Sequence, residues 1–234
     1  MPISENIAAL REKIVQAAKR AARNPAEIAL MAVTKTHPPE RIREAYESGL
    51  RLFGENRVQE FSGKTSALSD LPGAEWHMIG HLQSNKAAKA AELFSAIDSI
   101  DSLKLAEKLN SAAQASNKTL EVLIEVNVGG EAAKTGLALD SPELEDLLTA
   151  APRLEALKMR GLMTVPPHTE DPAGARSYFR QLRTLRDQIA SRELPKISMD
   201  ILSMGMSHDF EVAIEEGSTC VRIGTAIFGE RPRP

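Results

Sequence analysis

The chain has 234 residues, of which 42% are hydrophobic and 26% charged, and its formal net charge is -3. This composition is typical of a soluble globular protein, and the slightly acidic charge offers no positive field for nucleic acid. No apolar run approaches the roughly 20 residues that cross a bilayer, and charged residues interrupt the start where a secretory signal would be apolar. We therefore expect a cytoplasmic protein that binds neither nucleic acid nor membrane.

In chain order, an amphipathic helix over about residues 4–22 comes first, with apolar residues three or four positions apart. Short β-branched runs then alternate with longer helical stretches. The predicted strands cover residues 28–34, 50–53, 76–79, 95–98, 120–128, 157–165, 199–204 and 219–224.

Two of the intervening helices carry their own start and stop signals. One has Pro39 in its first turn and ends at Gly49. Another has Ser141 as N-cap and Pro142 at the first helical position. These signals indicate helices between successive strands rather than irregular loops.

Alternating strands and helices favour parallel pairing by right-handed crossovers, and eight such units are the number that closes a barrel. An open doubly wound sheet is the alternative, but "TKTHPPE" follows the first strand where a glycine-rich dinucleotide loop would stand. No linker, repeat or low-complexity block divides the chain. The sequence predicts one domain over residues 1–234, a TIM (β/α)8 barrel with an extra N-terminal helix.

Polar residues cluster where the last two predicted strands end, which is where barrels of this type commonly hold a phosphate. The segment "SMGMS" (203–207) runs into a helix start, and Gly224 and Thr225 precede a second one. Converging backbone N–H groups and hydroxyls would form an anion site, provided that Asp209 and Glu211 point away from it. The alternative is that Ser207 only caps a helix and the glycines only turn the chain.

Lys35 lies at the end of the apolar first strand, which predicts that it reaches the same mouth of the barrel. An amine there can pair with an anion or attack a carbonyl carbon. Attack requires a pKa below the usual value of about 10.4, and partial burial would provide it. The residue types alone leave both roles open.

The histidines and the cysteine give little indication of a metal. His77 and His81 are four residues apart, but they lack the glutamate of H-E-x-x-H and fall on a strand and a turn. The sequence allows His77 to pack beside Trp76 and His81 to line the mouth, and His37, His168 and His208 are expected in solvent. The single cysteine, Cys220, excludes an internal disulfide and is expected in the core.

Several stretches resemble one known family. They are "AVTKTHP", "FGENRVQE", "WHMIGHLQSNK", "VLIEVNVGGEAAKTGL", "RGLMTVPP" and "LSMGMSHDFEVAIEEGSTCVRIGTAIFGERP". They follow the order and nearly the full length of pyridoxal phosphate homeostasis proteins, also called proline synthetase co-transcribed homologs. The resemblance implies a barrel like the N-terminal domain of alanine racemase, which holds pyridoxal 5'-phosphate (PLP).

The resemblance also implies roles for individual residues. Lys35 matches the lysine that forms the Schiff base with PLP, Asn56 matches the asparagine of a Gly-Glu-Asn motif near the ring, and Arg222 matches an arginine facing the pyridine nitrogen. We count His77 among the cofactor-binding residues as well. The residues that match the phosphate cradle are Ser203, Met204, Gly205, Ser207, Gly224 and Thr225.

Three functions fit this pattern. The first is a carrier that buffers PLP and passes it to apoenzymes, working as a monomer or weak dimer. The second is an amino-acid racemase of low activity; its second acid–base residue is expected to be missing, because Tyr46 and Tyr178 fall within helices and the chain ends where the second racemase domain would begin. The third is an aldolase that uses Lys35 on a sugar phosphate.

A glycine-flanked loop at 129–136 remains unassigned. Its Lys134 is consistent with a mobile lid or with a second anion site.

Overall fold

A computed structural model describes residues 2–131 and 134–230. Within them, parallel strands close into one barrel in chain order, and β1 pairs with both β2 and β8. This confirms the predicted barrel. The strands are β1 (Ala29–Val33), β2 (Leu52–Glu55), β3 (Glu75–Met78), β4 (Ala96–Ile100), β5 (Leu120–Glu125), β6 (Leu157–Met163), β7 (Ile197–Ser203) and β8 (Cys220–Ile223).

Helices cover the outside of the barrel between the strands. Ser141 caps α7 as predicted, because its hydroxyl accepts a hydrogen bond from the Leu144 N–H at 3.3 Å. The helices of the described residues are α1 (Ile3–Arg20), α2 (Pro39–Glu47), α3 (Val58–Ser62), α4 (Thr65–Leu68), α5 (Ala87–Leu93), α6 (Leu103–Ala115), α7 (Pro142–Ala150), α8 (Arg176–Ala190), α9 (Phe210–Glu215) and α10 (Thr225–Phe228).

The extra N-terminal helix, α1, lies against the elements that end the barrel. Its buried stripe includes Ile7, Leu10 and Ile14, and it packs on α9 and α10. The Asn6 side-chain amide donates to the Ile227 carbonyl at 2.9 Å. Helix α1 therefore supports the two short helices that follow β7 and β8.

Close approach between strands requires glycine at one position on β6. A Cβ atom on Gly161 would overlap the carbonyl oxygen of Ile201 on β7. Any side chain there would push these two strands apart.

The described part of the chain contains no helix that is both long and apolar enough to cross a membrane. It also contains no group of three or more histidine, cysteine, aspartate or glutamate side chains arranged to hold a metal ion.

A buried carboxylate joins α8 to the end of α9. The Glu216 side chain is only 5% exposed and accepts ion pairs from Arg176 at 2.9 Å, Arg180 at 3.0 Å and Arg183 at 3.4 Å. Burial opposes its ionisation, but the hydrogen bonds and charges of these arginines hold the pKa of Glu216 below its usual value. One negative charge thus offsets the repulsion among three cations.

Replacing Glu216 with glutamine should lower the free energy of unfolding by about 1–2 kcal/mol at pH 7, because the arginines lose their shared partner. Since the pKa of Glu216 is lowered in the folded state, its contribution is complete above the usual carboxyl pKa of about 4.3 and is lost as pH falls through the folded value. Urea unfolding at pH 7 and pH 3 measures both effects.

The control is Glu92→Gln, which breaks the exposed Lys89–Glu92 pair and should change stability little. Equal stability of the Glu216→Gln variant and the wild type at pH 7 would contradict the role of this carboxylate.

Candidate functional site

A cavity of about 310 Å³ opens at the carboxyl ends of the strands. Its wall is built from residues that follow β1, β2, β3, β6 and β7 and from the end of β8. In a closed parallel barrel this end is the mouth, where active sites and ligand-binding sites lie. Six of the ten residues predicted for the site line it: Lys35, Asn56, Ser207, Arg222, Gly224 and Thr225.

Lys35 leaves the end of β1 on a turn with an unusual backbone. The preceding Thr34 N–H still pairs with the Gly54 carbonyl of β2 at 2.9 Å. The following Thr36 has φ of 66°, in the left-handed region that β-branched residues rarely adopt. Strand β1 therefore ends shortly before Lys35, and the turn places the half-buried Lys35 side chain in the cavity wall.

Arg222 brings a buried positive charge into the same wall. Only 4% of the residue is exposed, and its two terminal nitrogens donate to Ser203 Oγ at 2.8 Å and to the Thr164 carbonyl at 2.7 Å. Both acceptors are neutral, and no carboxylate of the described residues lies within 4 Å of the guanidinium. Burial lowers the pKa of Arg222, yet a guanidinium stays charged in proteins.

Asn56 contributes a buried acceptor to the cavity. Its Oδ1 atom is inaccessible and has no hydrogen-bond partner within the described residues. The Asn56 backbone lies so close to Gly80 that a Cβ on Gly80 would be 2.5 Å from the Asn56 carbonyl oxygen. Glycine at position 80 therefore allows the loop after β2, which carries Asn56, to lie against the loop after β3.

Ser207 and Thr225 place two hydroxyl groups at the cavity. Ser207 Oγ also accepts a hydrogen bond from the Ala226 N–H at 3.3 Å, which joins the loop after β7 to the start of α10. Of the two acidic residues near this loop, Glu211 points away from it, whereas Asp209 does not, because it binds the backbone of the loop itself. Asp209 is buried with Oδ1 on the Met206 N–H at 2.7 Å, and Glu211 pairs with Arg20 at 2.8 Å.

Three residues predicted for the phosphate cradle lie behind the cavity wall instead. Ser203 and Met204 are fully buried, Ser203 at the end of β7, where its hydroxyl orients Arg222. Gly205 has φ of 96° and packs on α9, where a Cβ would meet that of Ala213 at 2.6 Å. These residues shape the turn that presents Ser207, so they support the cavity from outside.

His77 is the fourth predicted residue that the structure locates elsewhere. It lines a second cavity at the opposite end of the barrel, with Leu52, Ala96 and Cys220, which begin their strands. Its Nδ1 atom lies 3.0 Å from Asp98 Oδ1. Burial lowers the pKa of His77, but the charge and hydrogen bond of Asp98 outweigh this effect and raise the pKa above its usual value.

Two histidines that were expected in solvent line the cavity near Lys35. His37 is 8% exposed, and its ring stacks on Phe228 of α10 at 4.4 Å between centroids. His208 approaches the Thr169 carbonyl at 3.1 Å. The sequence indicated these two positions only by proximity, because His37 is two residues after Lys35 and His208 is one residue after Ser207.

His81 is exposed near Asp101, with 2.9 Å between Nδ1 and Oδ2, and lines a neighbouring groove rather than this cavity. Part of the loop at 129–136, residues 132 and 133, lies outside the described residues. Lys134 pairs with Glu131 at 2.7 Å and is not part of the wall around Lys35. The role predicted for this loop stays open.

Comparison with known proteins identifies the family. The family model for the N-terminal domain of alanine racemase matches residues 6–232. The pyridoxal phosphate homeostasis protein of Aquifex aeolicus is 48% identical over 231 residues, with 99% of each chain covered. The chain belongs to this family. The Escherichia coli K12 member is 44% identical, with 98% of this chain and 97% of that protein covered.

Solved structures agree with the fold. PipY of Synechococcus elongatus, solved without PLP, is 38% identical with a TM-score of 0.83, and the match covers 97% of this chain and 100% of PipY. PipY with PLP bound is 37% identical with a TM-score of 0.81 and the same coverage. Alanine racemase from Streptomyces coelicolor, at 21% identity and a TM-score of 0.68 over 96% of this chain and 59% of the racemase, shares the barrel alone.

Cys220 provides a test of burial at the second cavity. Burial, together with the charge of Asp98, raises the pKa of its thiol to about 12. Because the thiolate is the reactive form, native protein at pH 8 should not react with iodoacetamide, whereas the unfolded chain should take up one equivalent. Mass spectrometry measures both, and native labelling as fast as that of the unfolded chain would contradict the buried position.

Proposed function

We propose that this protein binds PLP at the mouth of the barrel, holds it covalently on Lys35, and buffers and delivers it to apoenzymes in the cytoplasm. The family supports this proposal, because its members carry the name pyridoxal phosphate homeostasis protein. The full-length structural relative PipY has been solved with PLP bound.

One observation carries the proposal: Arg222 is a buried cation without a carboxylate in contact, in the same cavity wall as the amine of Lys35. Burying an uncompensated charge is unfavourable, so such a site is stabilised when an anion enters. The carboxylates that act on Arg222, including Asp98, Asp209 and Glu125, do so only through space. A ligand that is anionic overall, places an unprotonated ring nitrogen beside Arg222 and carries a group that reacts with amines suits both residues.

The other residues of the wall fit the same ligand. The hydroxyls of Ser207 and Thr225 can donate to phosphate oxygens, and the buried Oδ1 of Asn56 can accept from a polar ring substituent. A cavity of about 310 Å³ lies at the lower end of the range for small-molecule sites. When bound, PLP supplies an aldehyde that condenses with amines and a ring that withdraws electrons.

Binding rather than catalysis is supported by what surrounds the cavity. Arg222 presents a fixed cation, which disfavours a proton on a ring nitrogen beside it and so weakens electron withdrawal. Neither tyrosine lines the cavity: Tyr46 donates its hydroxyl to the Pro72 carbonyl at 2.7 Å, and Tyr178 packs against the core. We propose a monomer or weak dimer as the working form, as the sequence suggested.

Replacing Lys35 with alanine should abolish the visible absorbance that PLP gives the wild type, since no other amine would hold the aldehyde. Stability should change by about 1 kcal/mol or less, because the half-buried side chain lies in the wall of the open mouth and not in the core. Borohydride reduction followed by peptide mapping measures the site of attachment. The Lys13→Ala variant on the exposed face of α1 is the control and should keep its colour. Attachment that persists without Lys35 would refute the assignment.

The carrier role is tested by transfer. Protein loaded with PLP is mixed with an apoenzyme, and recovery of that enzyme's activity is followed. Recovery should be faster than the release of PLP into a chemical trap. Equal rates would argue against delivery, and exchange of the α-proton of an L-amino acid in deuterated water would instead favour a racemase.

A further inference from the structure

A buried lysine outside the cavity makes an unusual set of contacts. Lys64 lies between α3 and α4, and its side chain is only 10% exposed. Its ammonium donates to Glu60 Oε1 at 2.7 Å, to Glu55 Oε1 at 2.9 Å and to the Thr34 carbonyl at 3.0 Å. These three bonds use every donor that an ammonium group has.

Two of these contacts lead to the peptide groups on either side of Lys35. The Thr34 carbonyl belongs to the peptide bond that precedes Lys35 and bonds directly to Lys64. The Thr36 N–H belongs to the peptide bond that follows Lys35 and donates to Glu60 Oε1 at 2.5 Å, the same atom that Lys64 holds. One ammonium therefore fixes both peptide groups of the residue that reaches into the cavity.

The backbone at this point needs such a restraint. Thr36 has φ of 66°, and a β-branched residue in the left-handed region is strained. Strained conformations persist only where the surroundings over-determine them, and they cluster at functional sites. The charge-assisted bond from the Thr36 N–H to Glu60 is of the strong kind that can hold this conformation.

Glu55 is the third charged residue of the cluster, together with Lys64 and Glu60. It is fully buried, and its Oε1 atom also accepts from Thr34 Oγ1 at 2.7 Å. Burial raises the pKa of Glu55, while the Thr34 hydrogen bond and the Lys64 charge oppose that shift. Loss of Lys64 would leave two carboxylates close together with no cation between them, and the turn would relax.

A buried ion pair by itself is weak evidence for anything beyond local packing. The contacts of Lys64 are more specific, because they reach the backbone immediately before and after a single functional side chain. We propose that Lys64 is a positioning residue, which sets the turn at residues 34–36 so that the Lys35 amine enters the cavity in a reactive orientation. This inference rests on the proposed binding of PLP at Lys35.

The test compares Lys64→Met with a matched control. Lys118→Met removes another partly buried lysine, whose ammonium donates to the Ala91 and Phe94 carbonyls at 2.8 and 2.7 Å, away from the cavity. A general loss of stability should affect both variants alike. Only the Lys64 variant should change the turn that carries Lys35.

Two measurements are made. In protein without cofactor, amide hydrogen exchange at Thr36 should be at least about tenfold faster in Lys64→Met than in Lys118→Met, because the bond to Glu60 is loosened. With PLP added, attachment at Lys35, trapped by borohydride, should be about tenfold slower in the Lys64 variant, as expected for a misplaced reacting group.

The outcomes separate the two proposals. Exchange and attachment in Lys64→Met that equal those of Lys118→Met would overturn the positioning role. Absence of attachment in the wild type would refute the proposed function. The hydrogen exchange at Thr36 would still show whether Lys64 holds the turn at residues 34–36. If Lys64→Met does not fold, Glu60→Ala removes the acceptor of the Thr36 N–H from a partly exposed position, and unchanged exchange in that variant would overturn the proposal as well.

Discussion

The pairing of β1 with β8 is the constraint on which the site depends. In this register Met31 lies beside Arg222 and Ala32 beside Ile223, so the residues that follow both strands emerge at the same edge. Lys35 is thereby brought to the Gly224–Thr225 turn, although nearly the whole chain separates them. An open sheet with the strands in this same order would leave the amine and the guanidinium at opposite edges.

Charge is distributed very differently inside and outside this barrel. Outside the barrel, between α8 and α9, arginines of α8 share the carboxylates of Glu215 and Glu216, so cations and anions are in direct contact. In the cavity, Arg222 contacts only neutral oxygen atoms, and the nearby Asp209 accepts a hydrogen bond from the Met206 N–H instead of pairing with Arg222. The charge of Arg222 can therefore act on an anionic ligand in the cavity, whereas the charges of the α8 arginines are already offset by glutamates.

The sequence was sufficient for the fold and for part of the site. Alternation of residue types defined the eight strands, and the ends of those strands indicated Lys35 and Thr225, whereas Asn56 was indicated by the resemblance to a known family. Depth along the barrel axis could not be read in this way, since a period of two tells which face a side chain takes and not how far it lies from the mouth. His77 therefore lies beside Asp98 at the opposite end of the barrel, and Ser203 lies beside Arg222 behind the cavity wall. The Lys64 contacts join helix and loop residues across the fold, and no spacing in the sequence indicates them.

Helix α1 emerges from the ribosome long before α9 and α10, on which it packs. During synthesis the apolar stripe of α1 therefore stays exposed until α9 and α10 have emerged. One edge of β1 likewise stays unpaired until β8 has emerged. Contacts between residues so distant in sequence form slowly, and exposed strand edges promote association between nascent chains. Because β1 pairs with β8, α1 and β1 are the elements of this barrel whose apolar surfaces stay exposed longest during synthesis.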